Sequence, residues 1–112
     1  MIAETKIIEL LLKSGIDTYM ERPKDAPEEY CIVERTGSSS SNYVAKATIA
    51  VQSISGSLAK AAKLNEKVKK ILLTADIEGI SSIKLMSDYN FTNTAAKQHR
   101  YQAVYSVVTK EL

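Results

Sequence analysis

The sequence predicts an α+β fold, with a mixed, mostly antiparallel sheet of about four to five strands and two helices packed on one face. The main observation is a change of hydrophobic period, from two in residues 43–51 to 3.6 in residues 58–73. A strand therefore passes within one short turn into a helix that covers its own sheet. Further alternating segments on both sides of this unit supply the other strands.

The amino-terminal segments predict a helix followed by a hairpin. Gly15 ends a segment, residues 3–13, whose apolar side chains have helical spacing, at Ile7, Ile8, Leu11 and Leu12. Residues 16–22 alternate as a strand until Pro23 removes a donor, and residues 30–35 are dense in Val, Ile and Tyr. We expect these two strands to pair as an antiparallel hairpin.

A serine-rich segment follows, Thr-Gly-Ser-Ser-Ser-Ser-Asn at residues 36–42, and it has no side chain that anchors a core. This composition predicts a mobile loop. Such a loop either only connects two strands or becomes ordered against a neighbouring subunit. The candidate partner contacts in it are Gly37, Ser38, Ser39, Ser40, Ser41 and Asn42.

The central strand and helix each have one apolar side. The strand side consists of Tyr43, Ala45, Ala47, Ile49 and Val51, and the helix stripe consists of Leu58, Ala61, Ala62, Leu64, Val68, Ile71 and Leu72. Residues 83–89 alternate as a half-buried strand, and residues 100–110 give the longest strand signal. This last strand is apolar on both faces, with Val104 and Val108 opposite Tyr105 and Val107. It should lie inside the sheet or have its second face covered by another subunit.

Length and composition predict one domain over residues 1–112. The single cysteine, Cys31, cannot form an internal disulfide and suits a buried position in a reducing compartment. The first six residues lack the basic start and apolar block of a secretory signal. No apolar run approaches the roughly 20 residues of a membrane-spanning helix. We expect a soluble protein that is made in the cytoplasm.

The net charge of +2 is unevenly distributed along the chain. Residues 1–56 contain six Lys/Arg and eight Asp/Glu, whereas residues 57–112 contain nine and five. Most of the excess lies on the second helix, at Lys60, Lys63, Lys67, Lys69 and Lys70. A solvated helix face is the simpler interpretation, and a weak contact with DNA or an acidic partner is the alternative. No aromatic residue lies among these lysines to stack on bases.

No catalytic, cofactor-binding or metal site is predicted. His99 is the only histidine, so a histidine metal cluster is absent, and neither His99 nor Cys31 lies in a signature of nucleophilic catalysis. The four glycines are too far apart for a phosphate-binding loop. A small hydrolase that uses His99 and a carboxylate is the less favoured alternative.

Several segments resemble the small tail-terminator or minor capsid proteins of tailed phages and prophages. These are Tyr-Cys-Ile-Val-Glu-Arg-Thr-Gly at residues 30–37, Ala-Thr-Ile-Ala-Val-Gln-Ser at residues 47–53, and the alanine-rich helix through residues 61–66. The chain is also similar to that family's closing pattern, with Leu-Met-Ser-Asp-Tyr-Asn-Phe-Thr-Asn-Thr at residues 85–94 and Arg-Tyr-Gln-Ala-Val-Tyr at residues 100–105. It departs at Asn93, where an aspartate is expected.

This resemblance implies a structural protein of the virion tail or neck, made in the cytoplasm of the bacterial host. It implies a ring of identical copies, usually a hexamer, that caps the tail tube and faces the head-completion or connector protein, with DNA passing through its lumen. Candidate contacts are the 36–42 loop, the lysine face and the last strand. On the lysine face they are Lys60, Lys63, Lys67 and Lys70, and at the last strand they are Arg100 and Tyr101. The alternative is a small sequence-independent DNA-binding protein or another virion adaptor. No enzyme activity, cofactor or membrane partner is expected.

Overall fold

The computed structural model describes residues 2–41, 44–95 and 98–110. The helices are α1 (Ile2–Lys13) and α2 (Leu58–Leu73). The strands are β1 (Thr18–Tyr19), β2 (Tyr30–Ser41), β3 (Val44–Ser55), β4 (Ile80–Asn90) and β5 (His99–Lys110). The predicted α+β class is confirmed. In the part of the chain that the structure describes, neither helix is long and apolar enough to cross a membrane.

The five strands form one sheet in the order β1-β2-β3-β5-β4. The four long strands pair antiparallel, so the sheet is mostly antiparallel as predicted. The expected hairpin between residues 16–22 and 30–35 is wrong, because β1 has only two residues and pairs parallel with Cys31 and Ile32. Pro23 and Pro27 lack the N–H groups of a ladder, so the connection leaves the sheet and re-enters it in the same direction.

The serine-rich segment is the second correction, because residues 36–41 continue β2 as a strand and do not form a loop. Gly37 pairs with Thr48, and the ladder runs on to Ser41 beside Val44. A bulge at Thr36 shifts the register before this stretch. Main-chain hydrogen bonds need no side-chain anchor, so the strongly patterned β3 is sufficient to extend its polar neighbour. Asn42 lies outside the described residues.

Both helices pack against the same face of the sheet. The core combines α1, α2, β2, β3 and β5, through Ala3, Ile7, Leu11, Leu64, Val68, Leu72, Cys31, Val33, Ala47, Ile49, Val51, Ala103, Tyr105 and Val107. The predicted apolar sides of the central strand and helix are confirmed in outline for the described residues, although Leu58 is exposed. Tyr43 of the predicted strand side lies outside the described residues. Burying each Val, Leu or Ile side chain of this core contributes roughly 1.5–3 kcal/mol.

Local interactions fix where the helices begin, end and dock. Ser57 has an extended backbone, and its hydroxyl accepts the Lys60 N–H at 3.2 Å as the amino-terminal cap of α2. At the end of α1, Gly15 has a φ of +85°, which an L side chain rarely adopts. Arg35 of β2 holds α1 in place, since its Nη2 lies 2.8 Å from Oε1 of the buried Glu4.

The carboxyl-terminal strands differ in their surroundings. β5 lies between β3 and β4, as its apolar character on both faces predicts. β4 is an edge strand, and it begins three residues earlier than the alternating segment, at Ile80. It is exposed from Lys84 to Asn90 and so is less buried than the sequence pattern indicates.

Two adjacent leucines of α2 test the packing of the helix on the sheet. Leu72 is 1% exposed and Leu73 is 45% exposed. We expect Leu72→Ala to lower the free energy of unfolding by about 2–5 kcal/mol, because it leaves a cavity in the core. Leu73→Ala, the matched control, should change it by less than about 0.5 kcal/mol. Urea unfolding measures both, and equal losses would contradict this packing.

Candidate assembly surfaces

Both helices lie on one face of the sheet, and neither of them covers the opposite face. Core residues alternate along β3 and β5, so the residues between them point to the other side. We call this side the open face; its members include Thr48, Ala50, Gln52, Ile54, Arg100, Gln102, Val104, Ser106 and Val108. Gln52 Nε2 donates to Gln102 Oε1 at 3.2 Å in its centre. Ala50 and Ile54 are 2% and 4% exposed, whereas Val104 and Val108 are half-buried.

An exposed apolar stretch lies along β4 and just beyond it. Among the described residues, eight large apolar side chains are exposed, and four of them fall here: Leu85, Met86, Tyr89 and Phe91. Met86 is 61% exposed at a bulge that shifts the register between β4 and β5. Clustered apolar side chains on a strand edge are typical of protein contacts.

The two parts of the family-like closing pattern meet around Arg100. Its guanidinium carbon lies 4.5 Å from the centre of the Phe91 ring, and its Nε donates to the Phe91 carbonyl oxygen at 2.7 Å. The Phe91 ring meets Tyr89 edge to face, with centroids 5.8 Å apart. Gln102 Nε2 donates to the Tyr89 hydroxyl. The arrangement fixes an arginine and two aromatic rings at one end of the sheet, groups that often dominate protein interfaces.

Tyr101 and Arg100 are adjacent in β5 and therefore lie on opposite faces of the sheet. Arg100 pairs with Ile54 on the open face, and Tyr101 pairs with Ser53, which belongs to the helix side. Tyr101 is half-buried. Of the two predicted contacts, only Arg100 therefore lies on the side that the helices leave uncovered.

The four predicted contact lysines, Lys60, Lys63, Lys67 and Lys70, are exposed along one stripe of α2. Lys60 Nζ lies 3.8 Å from Glu28 Oε1, a weak surface pair. Lys69 differs, since its ammonium group bonds Asp88 of β4 and lies 2.6 Å from Glu66 Oε1. The pKa of Lys69 is raised mainly by its hydrogen bond to Asp88, and next by its hydrogen bond to Glu66. The lysine stripe and the Arg100 cluster thus lie on opposite sides of the sheet.

The serines predicted to be partner contacts lie on a strand edge. β1 covers only Cys31 and Ile32, so residues 33–41 of β2 have no strand on that side in the described chain. Ser38 and Ser39 are exposed, and Gly37 is half-buried. The structure places residues 37–41, the described part of this predicted contact segment, along a backbone edge with no strand beside it in the described chain, which the sequence pattern did not reveal.

Potentially reactive groups are separated and shielded in the described chain. The Cys31 thiol is fully buried, 3.8 Å from Ser53 Oγ, and burial raises its pKa to about 12. His99 Nδ1 is buried with no hydrogen-bond partner among the described residues. These residues contain no cluster of three or more His, Cys, Asp and Glu side chains that would suit a metal. An open depression between α1 and residues 76–78 is lined by exposed lysines and carboxylates with Leu10 and Leu12, and it contains no nucleophile.

Sequence reasoning missed the exposed stretch on β4 and the role of Phe91. Leu85 and Met86 are adjacent, so an extended strand directs one of them to each face. Adjacent apolar residues in a strand were also the signal that correctly predicted β5 to be apolar on both faces. Nothing local indicated that Phe91 would lie under Arg100, because nine residues separate them.

Comparison with known proteins gives a match in structure alone. No protein-family model and no curated protein matches the sequence. A solved chain from the "Virion of native gene transfer agent (GTA) particle" is similar, with a TM-score of 0.71 and 15% sequence identity. The match covers 96% of this chain and 94% of that chain. The two chains therefore share a fold over nearly their whole lengths.

The buried thiol predicts how stability depends on alkaline pH. Its pKa is 9.0 ordinarily and about 12 in the folded chain, so the unfolded chain loses this proton first. The contribution of this buried thiol to the free energy of unfolding is complete below pH 9 and is lost as the pH rises toward 12. Between these limits, the free energy of unfolding of the wild type should fall by about 1.4 kcal/mol per pH unit more steeply than that of Cys31→Ala. Parallel urea-unfolding curves across this range would contradict the assignment.

Proposed function

We propose that this chain is a structural protein of a phage-like particle. The observation that carries the proposal is the fold shared with a chain of a gene transfer agent virion, over 96% of this chain. The segments that resemble tail-terminator proteins support it independently, since they come from the sequence. Two of these segments, residues 85–94 and 100–105, pack together around Arg100.

We further propose that copies of the chain form a ring that caps the tail tube and makes the tail side of the head-tail junction. Its partners would be other copies of itself, the tail tube protein and the head-completion or connector protein. The uncovered surfaces support such a role, because the open face, the β4 stretch and the β2 edge are available to neighbours. A ring needs two different contact surfaces on each copy, and the sheet provides them at opposite edges.

Such a protein functions by binding its neighbours in the particle, and this does not require an activated nucleophile. The buried Cys31 thiol supports this, because the thiolate is the reactive form and burial opposes it. A hydrolase based on His99 is less favoured, since among the described residues its Nδ1 has no hydrogen-bond partner and the Cys31 thiol lies against Ser53.

Contact with DNA is the second candidate, and the lysine stripe of α2 favours it. Four exposed lysines on one helix side can neutralise backbone phosphates without reading sequence. In a ring, this contact would suit a lumen through which a genome passes. The exposed aromatic rings lie on the opposite side of the sheet, so stacking of single-stranded bases beside these lysines is not favoured.

Deletion of the gene in cells that produce the particle tests the main proposal. Without a cap, we expect tails of irregular and excessive length that are not joined to heads, as seen by electron microscopy. A plasmid copy of the wild-type gene should restore uniform, joined tails. Particles of normal length and infectivity or transfer activity after deletion would contradict the proposal.

Binding to duplex DNA at several salt concentrations tests the second candidate. If all four lysines contact phosphates, the logarithm of the affinity should fall with the logarithm of salt with a slope of about −3.6. Replacing Lys60, Lys63, Lys67 and Lys70 by Gln should abolish this slope. The matched control replaces four exposed lysines elsewhere, Lys13, Lys24, Lys46 and Lys84, and should retain most of it. Absent or salt-insensitive binding by the wild type would exclude DNA contact.

A further inference from the structure

Two edges of the sheet are unpaired in the described chain. On β2 the free edge is residues 33–41, and on β4 it is the whole outer side. Bulges interrupt these edges at Thr36, Ser81 and Met86. Residues 37–41 of β2 and 82–85 of β4 are regular stretches between these irregularities, as are residues 33–35 and 87–90. Unpaired strands expose N–H and C=O groups that can join another strand.

Residues 37–41 and 82–85 lie at the same level of the sheet. Ser39 pairs with Lys46, Lys46 with Val108, and Val108 with Ser82. All four residues belong to the open face. Since three successive antiparallel pairings separate β2 from β4, these strands run in opposite directions. A copy rotated about an axis along the strands would therefore present its β2 antiparallel to the β4 of its neighbour.

The side chains on these edges differ in size in a complementary way. Residues 37–41 are one glycine and four serines, whereas Leu85 and Met86 are large, apolar and exposed. A strand with small side chains can approach this stretch closely. It would also cover apolar surface that water otherwise contacts.

The flanks carrying the edges have opposite charge. Residues 1–41, which build α1, β1 and β2, contain eight Asp/Glu and five Lys/Arg. Residues 57–95, which build α2 and β4, contain six lysines and four acids. α1 contacts β1 and β2, whereas α2 contacts β3, β5 and β4. The two flanks also contact each other, as where Lys6 Nζ of α1 donates to the Glu78 carbonyl oxygen at 2.6 Å. Along the strand order, the acidic elements therefore lie toward the β2 edge and the lysines of α2 and β4 toward the other edge. Head-to-tail contact brings the acidic flank against the basic one, whereas contact between like edges opposes it.

We propose that copies of this chain associate head to tail, with residues 37–41 of β2 in one copy pairing antiparallel with residues 82–85 of β4 in the next. The occupant of each edge is thus a second copy of the chain. The inference rests on the proposed function, for which it supplies the contact between copies. Because the paired edges are different surfaces, the association continues until a ring closes.

Chemical cross-linking of single-cysteine edges tests this contact directly. Ser39→Cys and Ser82→Cys would be purified separately, each with the buried Cys31 retained, and mixed at high protein concentration with a short bis-maleimide. We expect the mixture to yield a cross-linked dimer, and we expect neither variant to yield one on its own. The double variant should give a ladder of species that stops at the size of the closed ring. Lys84→Cys, at an exposed position, replaces Ser82→Cys if that half-buried site impairs folding.

Two controls make the result decisive. Ser39→Cys mixed with Lys63→Cys, whose cysteine lies on the outer side of α2, should not cross-link. Met86→Glu should abolish the specific dimer, whereas Met20→Glu should not, although the two methionines are 61% and 57% exposed. No dimer in the Ser39/Ser82 and Ser39/Lys84 mixtures, dimers within a single variant, or equal dimers with Lys63→Cys would overturn the proposal.

The outcome is separable from that of gene deletion. Tails that need this chain for their length, together with an absence of cross-linking, would remove the strand pairing and leave the capping role. Specific cross-linking of a chain whose deletion leaves particles normal would retain the pairing and remove that role.

Discussion

The packing of both helices against one face of the sheet is the constraint on which the rest of this structure depends. α1 and α2 bury their apolar stripes on β2, β3 and β5, and Arg35 with Glu4 and Lys69 with Asp88 hold the helices over the two halves of the sheet. With both helices used on one side, no helix covers the other face in the described chain, although Tyr30, Ala50 and Ile54 on that face are buried. Most of β2 and the outer side of β4 have no strand beside them there. Surfaces with half-buried valines and unpaired strand backbone are therefore a direct consequence of how the core is made. A protein that assembles through contact can use them, whereas a protein that acts alone must protect them.

Much of the fold was predictable because its central signals are local. The change of period between residues 43–51 and 58–73 defines β3 and α2, and a serine at the junction caps the helix. The apolar residues on both sides of β5 predicted that it lies inside the sheet or has its second face covered by another subunit, and β5 lies between β3 and β4. These features depend on spacing within one segment, which a single sequence contains in full.

The errors concern pairing and exposure, which depend on distant partners. Residues 36–41 have a loop composition, yet they form a strand because β3 supplies the ladder. Residues 16–22 alternate like a hairpin strand, but only Thr18 and Tyr19 form a strand, and it pairs parallel with β2. The partner contacts were placed at serines, lysines and the pair Arg100 and Tyr101. The structure puts the serines on an edge and the lysines on the far side of α2, and it separates Arg100 from Tyr101 by the sheet. The apolar stretch at Leu85, Met86, Tyr89 and Phe91 was not anticipated, because exposure of a strand edge follows from topology and not from local pattern.

The central claim is that the unpaired edges of β2 and β4 make the contacts between copies in the assembled state. Hydrogen exchange of the backbone amides, compared between the free protein and the protein in assembled particles, tests this claim most directly. Assembly should slow exchange along β4 and the serine half of β2, while the buried amides of β3 and the middle of α2 change little. Unchanged exchange at both strand edges, with new protection confined to the helices, would contradict the claim.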